Sequence, residues 1–313
     1  MNDEVGMADS LWFEREEVLV PQTIAVIIAT NRGGPYLAEA VESVRRQTRP
    51  VEEVVIVDDG APAGELQRFV EKNSLRYVRS DGQGVSAARN AGAAATSADW
   101  LVFLDDDDVW HPDRIQEQLR ALEGRAGTIA SHTGGWYMDS DGSRFGVDWS
   151  APSASSIELL RGDVPLPRIT TLIVRHDAFD RIGGFCNGMR MGEDHDLILR
   201  LLMLGESAAV DRSLVGYRRH PDNVTSRLSS GRPNARRWWR RLRAEALVHG
   251  DSAVVEAIDE NRRRTRRANS EADLGELIDA VRHHHWAYSA RISWSLALSP
   301  GQTVRAVLRR ARA

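Results

Sequence analysis

The chain has 313 residues, of which 42% are hydrophobic and 27% are charged, and its formal net charge is −4; this length allows one large domain or two smaller ones. The single cysteine, Cys186, excludes an internal disulfide and favours a reducing compartment such as the cytoplasm. No stretch approaches the ~20 apolar residues that span a bilayer, and the acidic start MNDEVGMADS lacks the order of a signal peptide, so we expect neither an integral membrane protein nor one secreted by that route.

The first part of the chain alternates short apolar runs with helical patterns. Strands are predicted at residues 23–30, 54–57 and 75–78 and in DWLVFL, and helices at 36–46, 64–72, in the Ala-rich segment after Gly84, and at 114–122. Such alternation predicts parallel strands with helices on both faces of an open α/β sheet. In sheets of this kind, ligands bind outside the carboxyl ends of the strands.

The second part of the chain is less regular. We predict a hairpin that turns at Asp141-Gly142, a long loop over residues 149–168, and then a strand and a short helix in ITTLIVRHDAFDRIGGF. A helix is predicted over about residues 195–204, followed by one or two closing strands in AAVDRSLVGYRRH. Beyond about Gly231 only helical patterns remain, in Arg-rich segments divided by HGDS, ANSE and LSPG.

These patterns predict three regions: an N-terminal extension over residues 1–22, a domain over residues 23–226 with halves at 23–124 and 125–226, and a helical region over residues 227–313. The last region contains 18 Arg against 9 Asp and Glu, whereas the residues before it carry a net charge of −13. Basic helices of this kind can lie on anionic membrane surfaces, or they can pack on the preceding domain or on a second subunit. Both alternatives stay open. No nucleic-acid-binding motif accompanies the charge, so no nucleic acid partner is expected.

Acidic side chains follow two of the predicted strands at the point where each strand ends. Asp105 and Asp107 flank one residue in LVFLDDDDVW, so the turn can aim both carboxylates at one point, which suits Mg²⁺ or Mn²⁺ with substrate phosphates. The alternative is an ordinary acidic turn in which Asp108 caps the following helix. Asp58 and Asp59 end the second strand at the same edge, where they can contact a ligand or form an Asx turn before a glycine.

The order of several short motifs within residues 23–226 resembles the family 2 glycosyltransferases. These motifs are VIIATNR, VVIVDDG, GVSAARNAG, FLDDDDVW, RIGGF, GEDHDL and YRRHPDNVTS. The resemblance implies the α/β GT-A nucleotide-sugar fold, a Rossmann-like mixed, mainly parallel sheet flanked by helices, here with a C-terminal α-helical extension. It also implies a metal-dependent, inverting enzyme, typical of bacterial polysaccharide biosynthesis, that moves one sugar from a nucleotide-diphospho-sugar to a hydroxyl acceptor. The donor nucleotide is of the UDP, GDP or dTDP type.

The same resemblance implies a metal and diphosphate site at the run of four aspartates. Asp105 and Asp107 occupy the two carboxylate positions of the family's DxD motif and would bind Mn²⁺ or Mg²⁺, with Asp107 the firmer ligand. Asp106, between them, would approach the ribose or the diphosphate. His220, in YRRHPDN, resembles a histidine that contacts the metal or the diphosphate in some relatives.

Contacts with the rest of the nucleotide follow from the family pattern in the same way. Asp59, with Asp58 beside it, resembles the carboxylate that contacts the base. Thr30 and Arg32 stand where the first loop touches the nucleotide. Arg89 stands where a basic side chain can reach the base or the second-strand carboxylate; the alternative is a solvent-facing position on its helix.

The motif GEDHDL is where the resemblance places catalysis. An inverting transfer needs a base that deprotonates the acceptor hydroxyl as it attacks, and a carboxylate in a partly dry site can serve. In the family, this role falls to the aspartate of an acidic pair, here Asp194 of Glu193-Asp194. The alternative is an acidic helix start, which the helix dipole favours by ~0.3 to 1 kcal/mol.

Departures from the family pattern and the missing motifs bound the prediction. The chain contains no GxGxxG after its first strand and no GxxxxGK[ST], which disfavours a dinucleotide oxidoreductase or a P-loop nucleotidase. Its first loop is ATNR, where relatives often carry a proline. The glutamine- and arginine-rich tryptophan motif of processive members is also absent, so we predict a single transfer. Two alternatives to this function are a nucleotidyltransferase of similar fold and a non-catalytic nucleotide-sugar binding protein.

The acceptor and the setting of the protein are predicted only as classes. The acceptor is a glycan, a lipid-linked molecule or a small molecule, and Trp136, Tyr137 and Trp149 could stack on its sugar or pack within the hairpin. The predicted location is the cytoplasm, with peripheral contact at the inner face of the membrane as one option. Homo-oligomerisation is left open.

Overall fold

The computed structural model describes residues 22–282 apart from residues 63, 81, 126, 190, 191, 222, 224–234 and 249, and in the last two helices it describes the side chains of residues 239–267. The predicted N-terminal extension up to residue 21 and the helical patterns beyond residue 282 lie outside the described residues.

One nine-stranded sheet runs through the described part of the chain. Its strands are β1 (Ile24–Thr30), β2 (Glu53–Asp58), β3 (Arg76–Arg79), β4 (Trp100–Phe103), β5 (Val109–Trp110), β6 (Thr128–Met138), β7 (Arg144–Trp149), β8 (Ile173–Arg175) and β9 (Glu206–Arg218). The strand order is β3-β2-β1-β4-β8-β6-β9-β5, with β7 paired to β6.

Helices cover both faces of this sheet. They are α1 (Pro35–Arg45), α2 (Glu65–Lys72), α3 (Val85–Ala94), α4 (Arg114–Leu122), α5 (Ser156–Arg161), α6 (His176–Arg181), α7 (Glu193–Leu202), α8 (Ala235–Val248) and α9 (Ser252–Arg282), with a 3-10 turn at Ile169–Thr171.

The sheet is parallel in its first half and mixed in its second. Strand β1 pairs in parallel with β2 and β4, and β2 pairs in parallel with β3. Antiparallel strand β8 joins β4 to β6, which in turn pairs in parallel with β9. The predicted mixed α/β sheet is confirmed. The parallel pairing predicted for the first part of the chain is confirmed for β1 to β4. Among the later strands, β5, β7 and β8 are antiparallel to their neighbours.

Two hydrophobic cores lie on opposite faces of the sheet, and β1 contributes to both. Ala25 and Ile27 face the core that α3 and α7 cover, whereas Val26 and Ile28 face the core that α1 and α4 cover. Since both faces are buried, the strand is apolar throughout rather than alternating. Each fully buried aliphatic side chain of this kind contributes roughly 1.5–3 kcal/mol, which fixes the strand ends that carry the acidic residues.

Gly92 allows α3 to lie close to the sheet. A Cβ atom at this position would be 2.5 Å from Ile27 and 2.8 Å from Val57. The helix therefore approaches β1 and β2 more closely than any larger residue would permit. Arg89, about one turn before Gly92 on the same helix, pairs with Asp105 at the carboxyl edge of the sheet.

Three predicted boundaries differ from the structure. The predicted loop over residues 149–168 contains α5, whose capping box joins Ser155 to Glu158. Helix α7 begins at Glu193 rather than at about residue 195, so the acidic pair lies in its first turn. The ANSE segment does not divide two helices, because α9 continues through it.

The C-terminal helices share a core with the second half of the predicted domain. Trp239, Leu242 and Ile258 are buried in the same cluster as Leu197 of α7 and Leu160 of α5. Of the alternatives for this region, packing on the preceding domain is therefore what the described residues show. None of the helices in this part of the chain is long and apolar enough to cross a membrane.

Candidate functional site

The carboxyl ends of β1, β2 and β4 bring the residues predicted to bind the nucleotide-sugar to one edge of the sheet. The backbone N–H of Asp59 donates to Thr30 O at 2.8 Å, which joins the ends of β2 and β1. The N–H of Leu104 donates to Ile27 O at 3.0 Å, which joins the acidic turn to β1. The first loop, the second-strand carboxylates and the four aspartates therefore lie side by side, as expected for carboxyl ends of parallel strands.

Thr30 and Arg32 of the first loop contact the acidic turn directly. The Thr30 hydroxyl lies 2.5 Å from Asp106 Oδ2. The Arg32 guanidinium forms ion pairs with Asp106 at 3.4 Å and with Asp107 at 3.3 Å, while 39% of its side chain stays exposed. These contacts offset part of the repulsion among the neighbouring carboxylates, which amounts to roughly 3 kcal/mol for a pair ~6 Å apart at an effective dielectric near 20.

Asp107 and His220 meet at the centre of this edge. Asp107 Oδ2 lies 2.9 Å from His220 Nε2, and both side chains are largely buried. Burial, followed by the charge of Asp105, raises the pKa of Asp107, and the contact with His220 acts in the opposite direction. The His220 ring also lies 5.4 Å from that of Tyr36 in α1.

Arg89 connects the acidic turn to the acidic pair of α7. Its side chain is only 6% exposed, and it forms ion pairs with Asp105 at 2.6 Å and with Glu193 at 3.4 Å. Burial lowers the pKa of Arg89, but Asp105 and Glu193 outweigh it, so the net shift is upward. Burial and the adjacent Asp194 raise the pKa of Glu193, which Arg89 partly counteracts. The solvent-facing alternative for Arg89 is therefore wrong, and its carboxylate partners are not those of the second strand.

Asp194 is placed differently from the other acids of GEDHDL. It is half-buried in the first turn of α7, and its Oδ1 accepts the backbone N–H of His195 at 2.8 Å. Asp196, by contrast, is fully buried and paired with Arg200 at 2.5 Å. The three acids of the motif therefore have different environments: Glu193 is paired with Arg89, Asp194 is half-buried, and Asp196 lies in the core.

Asp58 and Asp59 also separate. Asp58 is buried, and its carboxylate accepts the N–H groups of Gly60 at 3.0 Å and Ala61 at 2.7 Å and the Tyr77 hydroxyl at 2.5 Å. This is the Asx turn considered as the alternative for the pair. Asp59 accepts the Ser80 hydroxyl at 2.7 Å and stays half-buried, so it is the more accessible member of the pair at this edge of the sheet.

Asp108 does not cap the following helix, which corrects that alternative. The residue at the helix start is Asp113, whose side chain makes no capping hydrogen bond. Asp108 is fully buried, and its Oδ1 accepts the backbone N–H of Arg218 at 3.0 Å. Burial, followed by the charges of Asp105 and Asp107, raises the pKa of Asp108 well above its ordinary value.

Arg218 is a site residue that the sequence analysis missed. Its buried side chain donates to the backbone oxygen of Asp107 at 2.9 Å and to Glu39 at 2.5 Å, and it lies 4.4 Å from the centre of the Tyr36 ring. It therefore connects the acidic turn to α1. The available signal was its position two residues before His220 in YRRHPDN.

The side chains that could coordinate a cation at this edge form only part of a metal site. Within the described residues, no three His, Cys, Asp or Glu side chains form a group that could hold a metal ion by themselves. Asp107 and His220 supply one oxygen and one nitrogen at 2.9 Å from each other. Mg²⁺ is commonly bound by one or two carboxylates together with substrate phosphates and water, so these residues fit a cation that they share with a diphosphate.

The fold belongs to the GT-A class, as comparison with solved structures shows. The crystal structure of S. aureus TarS 1-349 in complex with UDP-GlcNAc matches with a TM-score of 0.59 at 17% identity, over 76% of this chain and 72% of that chain. A further TarS crystal structure matches with a TM-score of 0.57 at 16% identity, over 76% of this chain and 43% of that one.

The sequence places the chain in a family. The profile described as "Glycosyl transferase family 2" matches residues 24–186, and the chain belongs to glycosyltransferase family 2.

Several curated proteins resemble the chain at modest identity. An uncharacterized glycosyltransferase of Haemophilus influenzae is 27% identical over 185 residues, 57% of this chain and 62% of the relative. One of Rickettsia felis is 35% identical over 121 residues, 38% of this chain and 20% of the relative. Glycosyltransferase GlyG of Streptococcus pneumoniae is 22% identical over 222 residues, 65% of this chain and 73% of the relative. The chain thus spans less than two thirds of the first two relatives.

Proposed function

We propose that the chain is a metal-dependent, inverting glycosyltransferase that moves a single sugar from a nucleotide-diphospho-sugar to a hydroxyl acceptor, with Asp194 as the general base. The observation that carries the proposal is the double contact of Arg89. It pairs with Asp105 on the donor-side turn at 2.6 Å and with Glu193, beside Asp194, at 3.4 Å. One guanidinium thus joins the donor and acceptor halves, which a transfer needs because donor and base must face each other across the reacting carbon.

The donor half supplies side chains that suit a cation and a diphosphate. Asp107 and His220 would hold Mn²⁺ or Mg²⁺ jointly with the diphosphate. Asp105 keeps 33% of its side chain exposed and adds a second carboxylate. When bound, the cation supplies Lewis-acid stabilisation of the charge that grows on the leaving diphosphate.

The nucleotide would lie along the edge formed by β1 and β2. Asp59 contacts the base, Asp106 the ribose or diphosphate, and Thr30 and Arg32 hold Asp106 in place through the contacts described above. A uridine nucleotide is the first donor to test, because the similar fold of TarS was crystallised with UDP-GlcNAc and with UDP.

The acceptor half supplies the base. Asp194 lies in the first turn of α7, where the helix N-terminus stabilises a negative charge. It takes the proton of the acceptor hydroxyl as the hydroxyl oxygen attacks the anomeric carbon from the face opposite the nucleotide. The bond to the nucleoside diphosphate breaks with its electrons on the diphosphate, so the anomeric configuration inverts. Glu193, held by Arg89, fixes the first turn of the helix.

The same contacts disfavour the two alternative functions, a nucleotidyltransferase and a non-catalytic binding protein. A nucleotidyltransferase needs a basic cradle for a triphosphate, whereas the Arg32 guanidinium in the first loop is already paired with Asp106 and Asp107. A binding protein without activity has no need to join Glu193 to the donor turn, since binding involves no base.

A donor panel tests the proposal. Purified protein is offered UDP-, GDP- and dTDP-sugars with Mn²⁺. Calorimetry measures donor binding. The release of nucleoside diphosphate, assayed across a panel of hydroxyl acceptors, measures turnover. We expect Mn²⁺-dependent binding of one nucleotide and its acceptor-dependent release. Binding without release on any acceptor supports the binding protein. In a parallel assay that offers a nucleoside triphosphate and a sugar 1-phosphate, release of pyrophosphate supports the nucleotidyltransferase.

A further inference from the structure

Aromatic and arginine side chains form a surface beside the acidic turn, Asp105 to Asp108, which we also call the donor turn. We call it the aromatic–arginine platform and define it by Tyr137, Trp149, Arg168, Tyr217 and Arg219. Tyr137 and Trp149 face each other across the β6–β7 hairpin with ring centres 5.1 Å apart, and Tyr217 of β9 lies 6.2 Å from Tyr137.

The hairpin is shaped to let Trp149 lie across it. A Cβ atom at Gly135 would be 2.3 Å from the Trp149 ring, so the indole covers the backbone of β6 at a position where no side chain could stand. Phe145, which is 40% exposed, extends the surface next to Tyr137 at 6.0 Å.

Two guanidinium groups lie on these rings. Arg168 lies 4.4 Å from the Trp149 ring centre and 4.7 Å from that of Tyr217, and it donates to the Tyr137 hydroxyl at 2.7 Å. Arg219 is exposed and lies 4.4 Å from the Tyr137 ring centre. Such contacts favour the cations and hold their planes in fixed orientations.

Neither of these arginines has a carboxylate partner among the residues that the structure describes. Arg144 on the same hairpin is a useful contrast, because it lies over Trp136 at 5.2 Å and is paired with Asp148. The platform therefore holds two positive charges with donor groups still to satisfy, which is a surface that complements an anion.

The platform lies next to the donor turn because two of its residues directly precede residues that contact this turn. Tyr217 directly precedes Arg218, whose backbone N–H donates to Asp108. Arg219 directly precedes His220, which contacts Asp107. A molecule that lies on the platform is thus next to the donor site but outside the contacts of Asp107 and Arg32.

We propose that the aromatic–arginine platform binds the acceptor and that this acceptor is a phosphorylated saccharide. Aromatic rings stack on the apolar face of a sugar, and the two arginines match a phosphate group, which carries about −1.5 to −2 charges as a monoester. The inference rests on the proposed function, since only a transferase needs an acceptor at this place.

Matched saccharides test the inference. Cellobiose and cellobiose 6-phosphate are titrated into the 313-residue protein, and saturation-transfer NMR follows their binding. We expect the phosphorylated disaccharide to bind at least about tenfold more tightly, because hydrogen bonds to charged groups are the strong ones. Equal binding of the two disaccharides, or no binding of either, would overturn the proposal.

Four variants locate the binding. Arg168→Gln and the exposed Arg219→Gln should each remove most of the preference for the phosphorylated form, and Arg219→Gln serves if Arg168→Gln does not fold by circular dichroism. Arg144→Gln, on the same hairpin, and Arg32→Gln, in the donor site, should keep it. A preference that is lost only in Arg32→Gln places the phosphate in the donor site and contradicts the proposal.

Failure of this inference is distinguishable from failure of the proposed function. Mn²⁺-dependent nucleotide binding and nucleotide release are measured separately and do not involve cellobiose. If they are observed while the disaccharides bind equally, the platform assignment alone is wrong.

Discussion

The Oδ2 atom of Asp107 lies 2.9 Å from Nε2 of His220, although 113 residues separate the two in the chain. The contact joins the end of β4 to the segment that follows β9, so the two halves of the domain meet at this point. A carboxylate oxygen and an imidazole nitrogen are ligand types that one divalent cation can share, and this contact is the basis of the cation site proposed above.

We expect Asp107→Ala and His220→Ala to lose Mn²⁺-dependent binding of a nucleoside diphosphate, by about tenfold or more for Asp107, because each removes a proposed ligand. Calorimetry with UDP in the presence and absence of Mn²⁺ measures the effect. Asp113→Ala, which removes a half-exposed carboxylate at the start of α4, is the control. Unchanged affinity in Asp107→Ala would mean that the cation binds elsewhere or not at all.

Arg89→Met should reduce turnover by about 100-fold and lower the free energy of unfolding by about 2 kcal/mol. The substitution leaves the partly buried carboxylates of Asp105 and Glu193 without the guanidinium group that they share. Denaturant titration and steady-state kinetics measure the two effects. Adding Glu193→Gln to Arg89→Met should restore part of the stability but not the turnover. If the double variant is less stable than Arg89→Met, the two residues are not coupled in this way.

His132 should make stability depend on pH. Burial lowers its pKa from 6.5 to about 4, and its Nδ1 lies 2.8 Å from the Ser207 hydroxyl. The unfolded chain therefore binds a proton that the folded chain excludes at intermediate pH, so stability is complete above pH 6.5 and falls as the pH decreases toward 4. The contribution is about 2 kcal/mol between pH 7 and pH 5.

Denaturant titration at pH 7 and pH 5 checks this prediction. His132→Asn should lose that part of the pH dependence, whereas His111→Asn, at a partly exposed site, should keep it. Equal pH dependence in His132→Asn and the parent protein would show that His132 is protonated in the fold.

Asp108→Asn should leave the free energy of unfolding within about 1 kcal/mol of the parent value or raise it. The amide oxygen still accepts the Arg218 N–H, and the substitution removes a carboxyl group whose charged form burial, Asp105 and Asp107 disfavour. Asp108→Ala should cost about 1–3 kcal/mol, since it leaves that N–H without an acceptor. Thermal unfolding compares the two. Loss of Mn²⁺-dependent nucleotide binding in Asp108→Asn would instead make Asp108 a ligand of the cation.

Local patterns in the sequence predicted much of this fold but few of the contacts between its residues. Helix α4 has the predicted bounds, and β1 differs by one residue, because apolar spacing is a local signal. Helix α5 was predictable from the capping box of Ser155 and Glu158, which a Ser- and Pro-rich stretch obscured.

Contacts between distant segments could not be predicted in the same way. The Arg218 contact with Asp108 crosses 110 residues, and no period in the sequence marks it. The partners of Arg89 depend on the close approach of α3 at Gly92, which only the packed structure defines. The resemblance to a family brought the acidic residues into one predicted site, whereas the separation of Asp58 from Asp59 needed the hydrogen bonds of the turn.

The most direct test of the account is Asp194→Asn, assayed for sugar transfer and for donor binding on the same preparation. The control is Asp180→Asn, the same substitution at an acid whose side chain is 70% exposed on α6. We predict that Asp194→Asn loses transfer by at least about 100-fold with donor affinity unchanged, while Asp180→Asn behaves like the parent protein. Full transfer activity in Asp194→Asn would contradict the assignment of Asp194 as the base.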